Sequence, residues 1–448
     1  MTKPIADPVA LLRSRGYLVL LGFAAVLGIP ISAAAYGYLA LVAYLQKEIF
    51  AHLPHALGYA TAPMWWPLPV LLVGGITVGL TIRYLPGDGG PSPAHGFKLH
   101  PPPTPVQLPG LLLASLATLS FGVVLGPELP LIALGGGLGV AAARLAGRRR
   151  RGGEGETGLP DQAVSVIAAS GSFAAISALL GSPILGAFLL MEASGLGGAT
   201  MGLVLVPGLL AAGIGSLIFV GLGHWTGLGS FSLAIPGLPR VSTPTAAEFG
   251  WAVVIGVVCA LGGSAIRRLA PALRARFAGQ TMLALPAAGL VVAGLAIAFA
   301  AGSGRSANKV LFSGQSALGP LITHSASYTV PALLLLIACK GIAYPVSMSL
   351  FRGGPVFPSM FIGAAIGLTV SRLPGLDPVA GAAMGIGAMS AVMLTLPLTS
   401  VLLATLLLAS DGLTEMPLVI VSVVVSYVVA ARTAPEPAPN PQPASTTA

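Results

Sequence analysis

Three carboxylates stand out because so little charge surrounds them. Glu128 sits in LGPELPL, residues 125–131, wedged between two prolines, and its nearest charged neighbours are Lys98 upstream and Arg144 downstream. Glu192 is the only carboxylate between Asp161 and Arg240. Asp88 lies in the turn GDGGP, residues 87–91. A carboxylate in apolar surroundings can carry a proton, compete with an anion for hydrogen-bond donors, or cap a helix. Inside a membrane such groups are costly and are functional by default.

The composition places these acids in a membrane. The chain has 448 residues, 55% hydrophobic and 8% charged, with 60 glycines and 39 prolines. Its mean hydropathy is +0.90. A soluble protein of this length carries far more charge. The formal charge of +9 comes from basic residues between apolar runs: Arg13 and Arg15, the run Arg148–Arg151, and Arg267, Arg268, Arg274 and Arg276. Basic loops of this kind mark the cytoplasmic side, so they argue against nucleic-acid binding and place the N-terminus, the 148–161 loop and the 267–276 segment inside. The apolar run from Tyr17 is too long for a cleavable signal and reads as a first spanning helix. Cys259 and Cys339 lie in apolar segments without ligand spacing, and the six histidines show no HxxxH or HExxH, so neither a metal nor a cofactor is expected. With no GxSxG elbow and no paired carboxylates, an intramembrane enzyme is not expected. Trp65-Trp66 reads as an interfacial anchor, and Lys340 and Arg352 as snorkelling cations, Arg352 alternatively placing positive potential near an anion route.

Apolar runs lie near 17–45, 67–82, 105–143, 162–192, 199–223, 247–264, 281–301, 328–350, 356–370, 378–410 and 415–431. A spanning helix needs roughly 20 apolar residues. The runs at 105–143, 162–192 and 378–410 are too long for one helix, and each is interrupted by proline. The chain also repeats itself. LGPELPLIALGGGLG (125–139) overlays GGPVFPSMFIGAAIG (353–367), pairing Gly126 with Gly354, Pro127 with Pro355, Pro130 with Pro358, Gly135 with Gly363 and Gly139 with Gly367 at one offset. GSPILGAFLL (181–190) likewise resembles TLPLTSVLLA (395–404). Related halves with Gly/Pro-interrupted segments in matching places predict an all-α inverted-repeat transporter. The first half spans about 15–225 and the second about 247–431, within a membrane domain of 1–433. A Pro-rich tail, 434–448, is expected to be disordered.

The interruptions have a physical use. A helix that starts inside a membrane leaves its first N–H groups unpaired. These donors and the positive end of the helix dipole suit an anion. Proline in the first turn sacrifices only a donor that is unpaired anyway. GPELP and GPVFP therefore predict two helix starts aimed at one polar pathway.

These motifs and their order resemble the CLC chloride channels and chloride/proton antiporters, over about residues 15 to 431. The resemblance implies two inverted halves, a homodimer with one pathway per subunit, and an anion route lined by three helix-start loops. The family's GREGP-type loop falls on Gly126, Pro127, Glu128, Leu129 and Pro130, which makes Glu128 the gate that competes with the anion. The GxFxP loop falls on Gly354, Pro355, Val356, Phe357 and Pro358. The GSGIP loop falls on Gly87, Asp88, Gly89, Gly90 and Pro91. This chain departs from the pattern in several ways, the first being that Pro127 and not a basic residue precedes the gate glutamate. Asp88 replaces the anion-binding serine, and its alternative reading is a loop or N-cap aspartate. Pro355 removes an N–H, and Val356 stands where the phenylalanine is expected. The inner proton glutamate of the antiporters falls on Ala193, with Glu192 one residue early as a possible proton path or a structural residue. The tail has no tyrosine to close the inner side, and Tyr427 falls too early in the last helix.

The expected function is permeation of a small inorganic anion, foremost chloride, gated by Glu128 and channel-like or weakly proton-coupled. The alternatives are proton-coupled antiport, or transport of fluoride, nitrate or a cation. The resemblance and the basic loops imply a multi-pass protein of the plasma membrane with both termini cytoplasmic, whose partners are anions, protons, the lipid bilayer and a second copy of the chain.

Overall fold

The computed structural model describes residues 13–151, 161–195, 199–227, 243–408 and 412–434, together with Gly229, Ile235 and Leu238. The tail beyond Ala434, most of the 148–161 loop and the side chains of Arg148–Arg151 lie outside the described residues.

The described residues form α-helices joined by short π and 3₁₀ turns. α1 (Arg15–Lys47) starts where the Ser14 side chain accepts the N–H of Tyr17, and continues through a π turn into the short α2 (Leu53–Ala56). α3 (Pro67–Tyr84) follows. The long run at 105–143 divides into α4 (Leu108–Ser120) and α5 (Glu128–Arg151), and that at 162–192 into α6 (Asp161–Leu180) and α7 (Pro183–Ser194). α8 (Ala199–Thr226) closes the first half. The second half runs α9 (Ala246–Arg276), α10 (Thr281–Ser303), α11 (Gln315–Thr323), α12 (Val330–Leu350) and α13 (Val356–Val370). The run at 378–410 then divides into α14 (Pro378–Leu394) and α15 (Pro397–Leu407), and α16 (Gly412–Thr433) completes the fold.

Each break has a local cause. Pro183 and Pro397 stand at the first helical positions of α7 and α15, where a missing N–H costs nothing. Asp377 caps α14, its Oδ1 accepting from Val379 N at 2.7 Å. Among the described residues, nine helices are long and apolar enough to cross a membrane. The shorter α13 and α14 are buried on nearly every face, which suits helices enclosed by other helices and not by lipid.

The five residue pairs of the internal repeat each have a structural task. Gly126 and Gly354 exchange backbone hydrogen bonds, N to O at 2.8 Å and 2.6 Å, in an antiparallel bridge between the halves. The four prolines of the repeat lie at or beside the starts of α5 and α13. The remaining glycines let helices touch backbone to backbone. A Cβ on Gly135 or Gly139 would collide with the backbone of α6 at Gly171 or Ile167–Ala168, and one on Gly363 or Gly367 with α14 at Gly385 or Gly381. Small residues four apart are the common device for close helix crossing in lipid. Gly363→Leu is therefore expected to destabilise the fold by about 1–3 kcal/mol through overpacking. The check is the thermal midpoint in detergent, where an unchanged value would count against the close crossing.

Three expectations change. The basic segment 267–276 is not a loop but the end of α9, its arginines reaching carbonyls of neighbouring helices: Arg267 donates to Val392 O at 2.9 Å and Arg268 to Thr433 O. Trp66 is buried, with Nε1 donating to Ile49 O at 3.0 Å, so only the half-exposed Trp65 suits an interfacial anchor. Lys340 does not snorkel, being fully buried in α12.

Candidate functional site

α5 and α13 start side by side because the Gly126–Gly354 bridge holds their leading loops together. Glu128 is the first residue of α5 and has no exposed surface. Its Oε1 accepts the backbone N–H of Phe357 at 2.8 Å, in the first turn of α13. A carboxylate from one half thus occupies the anion-seeking end of a helix in the other half. Its Oε2 has no hydrogen-bond partner. Glu128 is thus buried with one carboxylate oxygen at the start of α13 and the other without a hydrogen-bond partner.

The structure gathers Gly126, Pro127, Leu129, Gly354, Pro355, Val356 and Phe357 around this carboxylate. Tyr344, which the sequence did not flag, is buried on α12 and donates to Pro355 O at 2.6 Å. One turn further on, Ser347 Oγ accepts from Val124 N at 3.3 Å. Their spacing, with Phe351 one turn beyond, puts one face of α12 against both loops. Tyr427 is 39% exposed on α16 and takes no part.

A cavity of about 560 Å³ reaches Leu129 and Pro130, immediately after Glu128. The GDGGP loop lines it as well. Gly87, Asp88, Gly89 and Gly90 all have positive φ, so this loop is a left-handed turn in which Asp88, at φ 51°, is the one residue with a side-chain penalty. Asp88 is exposed and caps no helix; the 3₁₀ turn at Pro93–His95 is capped by Ser92. The N-cap reading of Asp88 is therefore replaced by that of a loop residue on the cavity wall. Its carbonyl accepts from Arg352 Nη2 at 3.2 Å. Arg352 is buried, with Nη1 on Leu350 O at 2.8 Å, so the snorkelling reading fails for this residue too.

Lys340 Nζ donates to Val310 O, Leu311 O and Phe312 O at 2.9, 3.1 and 3.0 Å, and stands 4.7 Å from the Phe361 ring centre. Phe312 has φ 60°, a left-handed conformation unusual for an aromatic residue, and its N–H reaches Gly122 O at 3.0 Å. Lys340 thereby fixes the segment that bonds Gly122, six residues before Glu128 in the chain.

Glu192 is half-buried at the end of α7. Its Oε1 accepts from Leu398 N at 3.0 Å, and its Oε2 from Thr399 N and Oγ1 at 2.7 and 2.6 Å. It caps α15, whose own N-cap residue Leu396 has no side chain to offer. Three bonds hold Glu192, against one for Glu128. Glu192→Gln is expected to cost about 1 kcal/mol in stability and to leave anion flux in place. A thermal melt paired with a liposome flux assay reads both, and lost flux at full stability would give Glu192 a transport role instead.

Residues 74–431 match the family described as voltage gated chloride channel. Among relatives, the chain is 29% identical over 385 residues to the "Putative ion-transport protein YfeO" of Escherichia coli strain SMS-3-5, covering 84% of this chain and 85% of that one. The protein of the same name from Escherichia coli O1:K1 is 30% identical over 383 residues, again covering 84% and 85%. Among solved structures, a slow cyanobacterial Cl⁻/H⁺ antiporter aligns with TM-score 0.73 at 18% identity, over 92% of this chain and 94% of the other. A CLC-type fluoride/proton antiporter aligns with TM-score 0.66 at 17% identity, over 93% and 96%. At these identities the structural likeness speaks for the fold.

Proposed function

Since this chain belongs to the voltage-gated chloride channel family, we propose that it conducts small inorganic anions, chloride foremost, across a membrane along the route between α5 and α13, with Glu128 as the gate. The observation that carries this reading is the hydrogen bond from Phe357 N to Glu128 Oε1 at 2.8 Å, a carboxylate seated where an anion would sit. Neutralising Glu128, or displacing it by an anion, removes the occupant and continues the path from the cavity at Leu129. The second, unused oxygen of Glu128 favours release over a fixed structural role.

Coupling to protons is weak in this reading, because three hydrogen bonds hold Glu192 at the start of α15 and no glutamate stands at position 193. Obligatory proton antiport is the second reading. The position of Glu192 favours it, since its neighbours Met191 and Ser194 both line the cavity that ends beside Glu128. In this reading both termini and the cavity side lined by Arg274 face the cytoplasm, which the basic segments support. The family resemblance adds the plasma membrane and the homodimer.

The experiment is anion efflux from liposomes loaded with chloride, fluoride or nitrate, with a pH electrode outside. Chloride efflux with little or no proton uptake is expected. Proton uptake in fixed ratio to efflux would favour antiport, and a current unchanged when a large organic anion replaces chloride would exclude chloride as the carried ion.

A further inference from the structure

The cavity beside Glu128 carries more positive than negative charge. Arg352, Arg274 and Lys98 line it, with Asp88 the one carboxylate on its wall and His100 beside Lys98. Arg274, Lys98, His100 and Asp88 are exposed, whereas Arg352 is 8% exposed. Among the described residues the one ion pair is His52–Glu48, so no carboxylate stands within 4.0 Å of the Arg352 guanidinium.

What Arg352 touches is instead neutral backbone. Nη1 donates to Leu350 O at 2.8 Å and to Phe351 O at 3.4 Å, and Nη2 to Asp88 O at 3.2 Å. Its own backbone N–H is held by Thr118 Oγ1 at 3.3 Å, and its side chain packs beside Gly89. A guanidinium has five N–H donors, so these three contacts leave at least two unused, and Nε has no partner. A buried charge without a counter-charge is expensive, and an arginine cannot shed its proton to escape the cost. The side chain is fixed by backbone on two loops, which keeps its charge at the inner wall of the cavity two residues before the Gly354 bridge.

We propose that Arg352 is an anion-binding station at the cavity side of the pathway, taking a small monovalent inorganic anion as its missing counter-charge before that anion meets Glu128. The exposed Arg274 and Lys98 form an electropositive mouth that concentrates anions toward it. Asp88 enters this arrangement through its carbonyl, which accepts from Arg352 Nη2, while its side chain is exposed on the cavity wall.

The inference rests on the transport reading, and its test separates the two. Chloride efflux is measured against chloride concentration inside reconstituted liposomes. Arg352→Gln is expected to raise the apparent KM by at least about tenfold with most of the loss in KM and not in kcat, and Arg352→Lys to recover most of it. In the exposed double change Lys98→Gln plus Arg274→Gln, a raised KM at low ionic strength that converges on the wild type at high salt is expected. If Arg352→Gln does not fold, anomalous scattering from wild-type crystals grown in bromide decides the matter: a bromide within hydrogen-bonding distance of the Arg352 guanidinium is expected, and its absence there while bromide binds elsewhere along the cavity overturns the station. An unchanged KM in Arg352→Gln, with the wild type carrying chloride, likewise overturns the station alone. A wild type that carries no anion overturns the transport reading and the station with it.

Discussion

Glu128→Gln is expected to give an anion flux that no longer depends on pH. In the proposed reading the Glu128 carboxylate, which accepts from the Phe357 amide at 2.8 Å, blocks the route while it is ionised. Acid neutralises it, weakens that charge-assisted bond and frees the site, so wild-type flux rises as pH falls. Glutamine is neutral at every pH and matches glutamate in size. It cannot compete as an anion or carry a proton. The variant should therefore conduct at neutral pH at least as fast as the wild type does in acid, and any proton movement coupled to anion flux should vanish. Because glutamine keeps an oxygen that can accept from Phe357 N, the substitution should cost little stability. Flux and proton movement both unchanged in Glu128→Gln would remove Glu128 from the gate.

Lys340→Met is expected to have the largest effect on stability. Its ammonium is the shared donor for three carbonyls, at Val310, Leu311 and Phe312. Methionine fills much the same volume but leaves all three acceptors, two of them buried, without this donor. Unsatisfied buried polar groups cost about 1–3 kcal/mol each, so a loss of about 2–4 kcal/mol is expected after relaxation. The damage should spread to the pathway, since Phe312 is tied to Gly122 and Gly122 leads into the loop that ends at Glu128. Differential scanning fluorimetry in detergent reads the midpoint, and liposome flux reads the site. A Lys340→Met protein as stable as the wild type would show that the three carbonyls do not depend on this cation.

The parts legible in the sequence were those written in local chemistry. Glycine and proline at matching offsets announced the helix starts at Glu128 and Val356. The same offsets marked Gly135, Gly139, Gly363 and Gly367 as repeat positions, but their close helix crossings show only once the partner helices are in place. The lone Glu128 between prolines announced a buried acid. Lys340 and Arg352 were misjudged for a physical reason. A cation in or at the end of an apolar run looks as if it must reach water. What permits its burial is a set of carbonyls, at Val310–Phe312 for Lys340 and partly at Asp88 for Arg352, that neighbour it only after folding. Glu192 is similar, since its partners Leu398 and Thr399 lie in the other half of the chain. Tyr344 carried no signal because an isolated tyrosine in an apolar helix has no spacing to betray its role. The nine-residue α11 was also invisible, being too short and too mixed in polarity to register as an apolar run.

The proposal that Glu128 takes the seat of an anion is decided by looking for the anion there. Crystals of the wild type and of Glu128→Gln, grown at neutral pH in bromide, would be compared by anomalous scattering. A bromide within hydrogen-bonding distance of Phe357 N in Glu128→Gln, and absent from that position in the wild type, is the expected result. Bromide at Phe357 N in both proteins, or in neither while it binds elsewhere along the cavity, would contradict it.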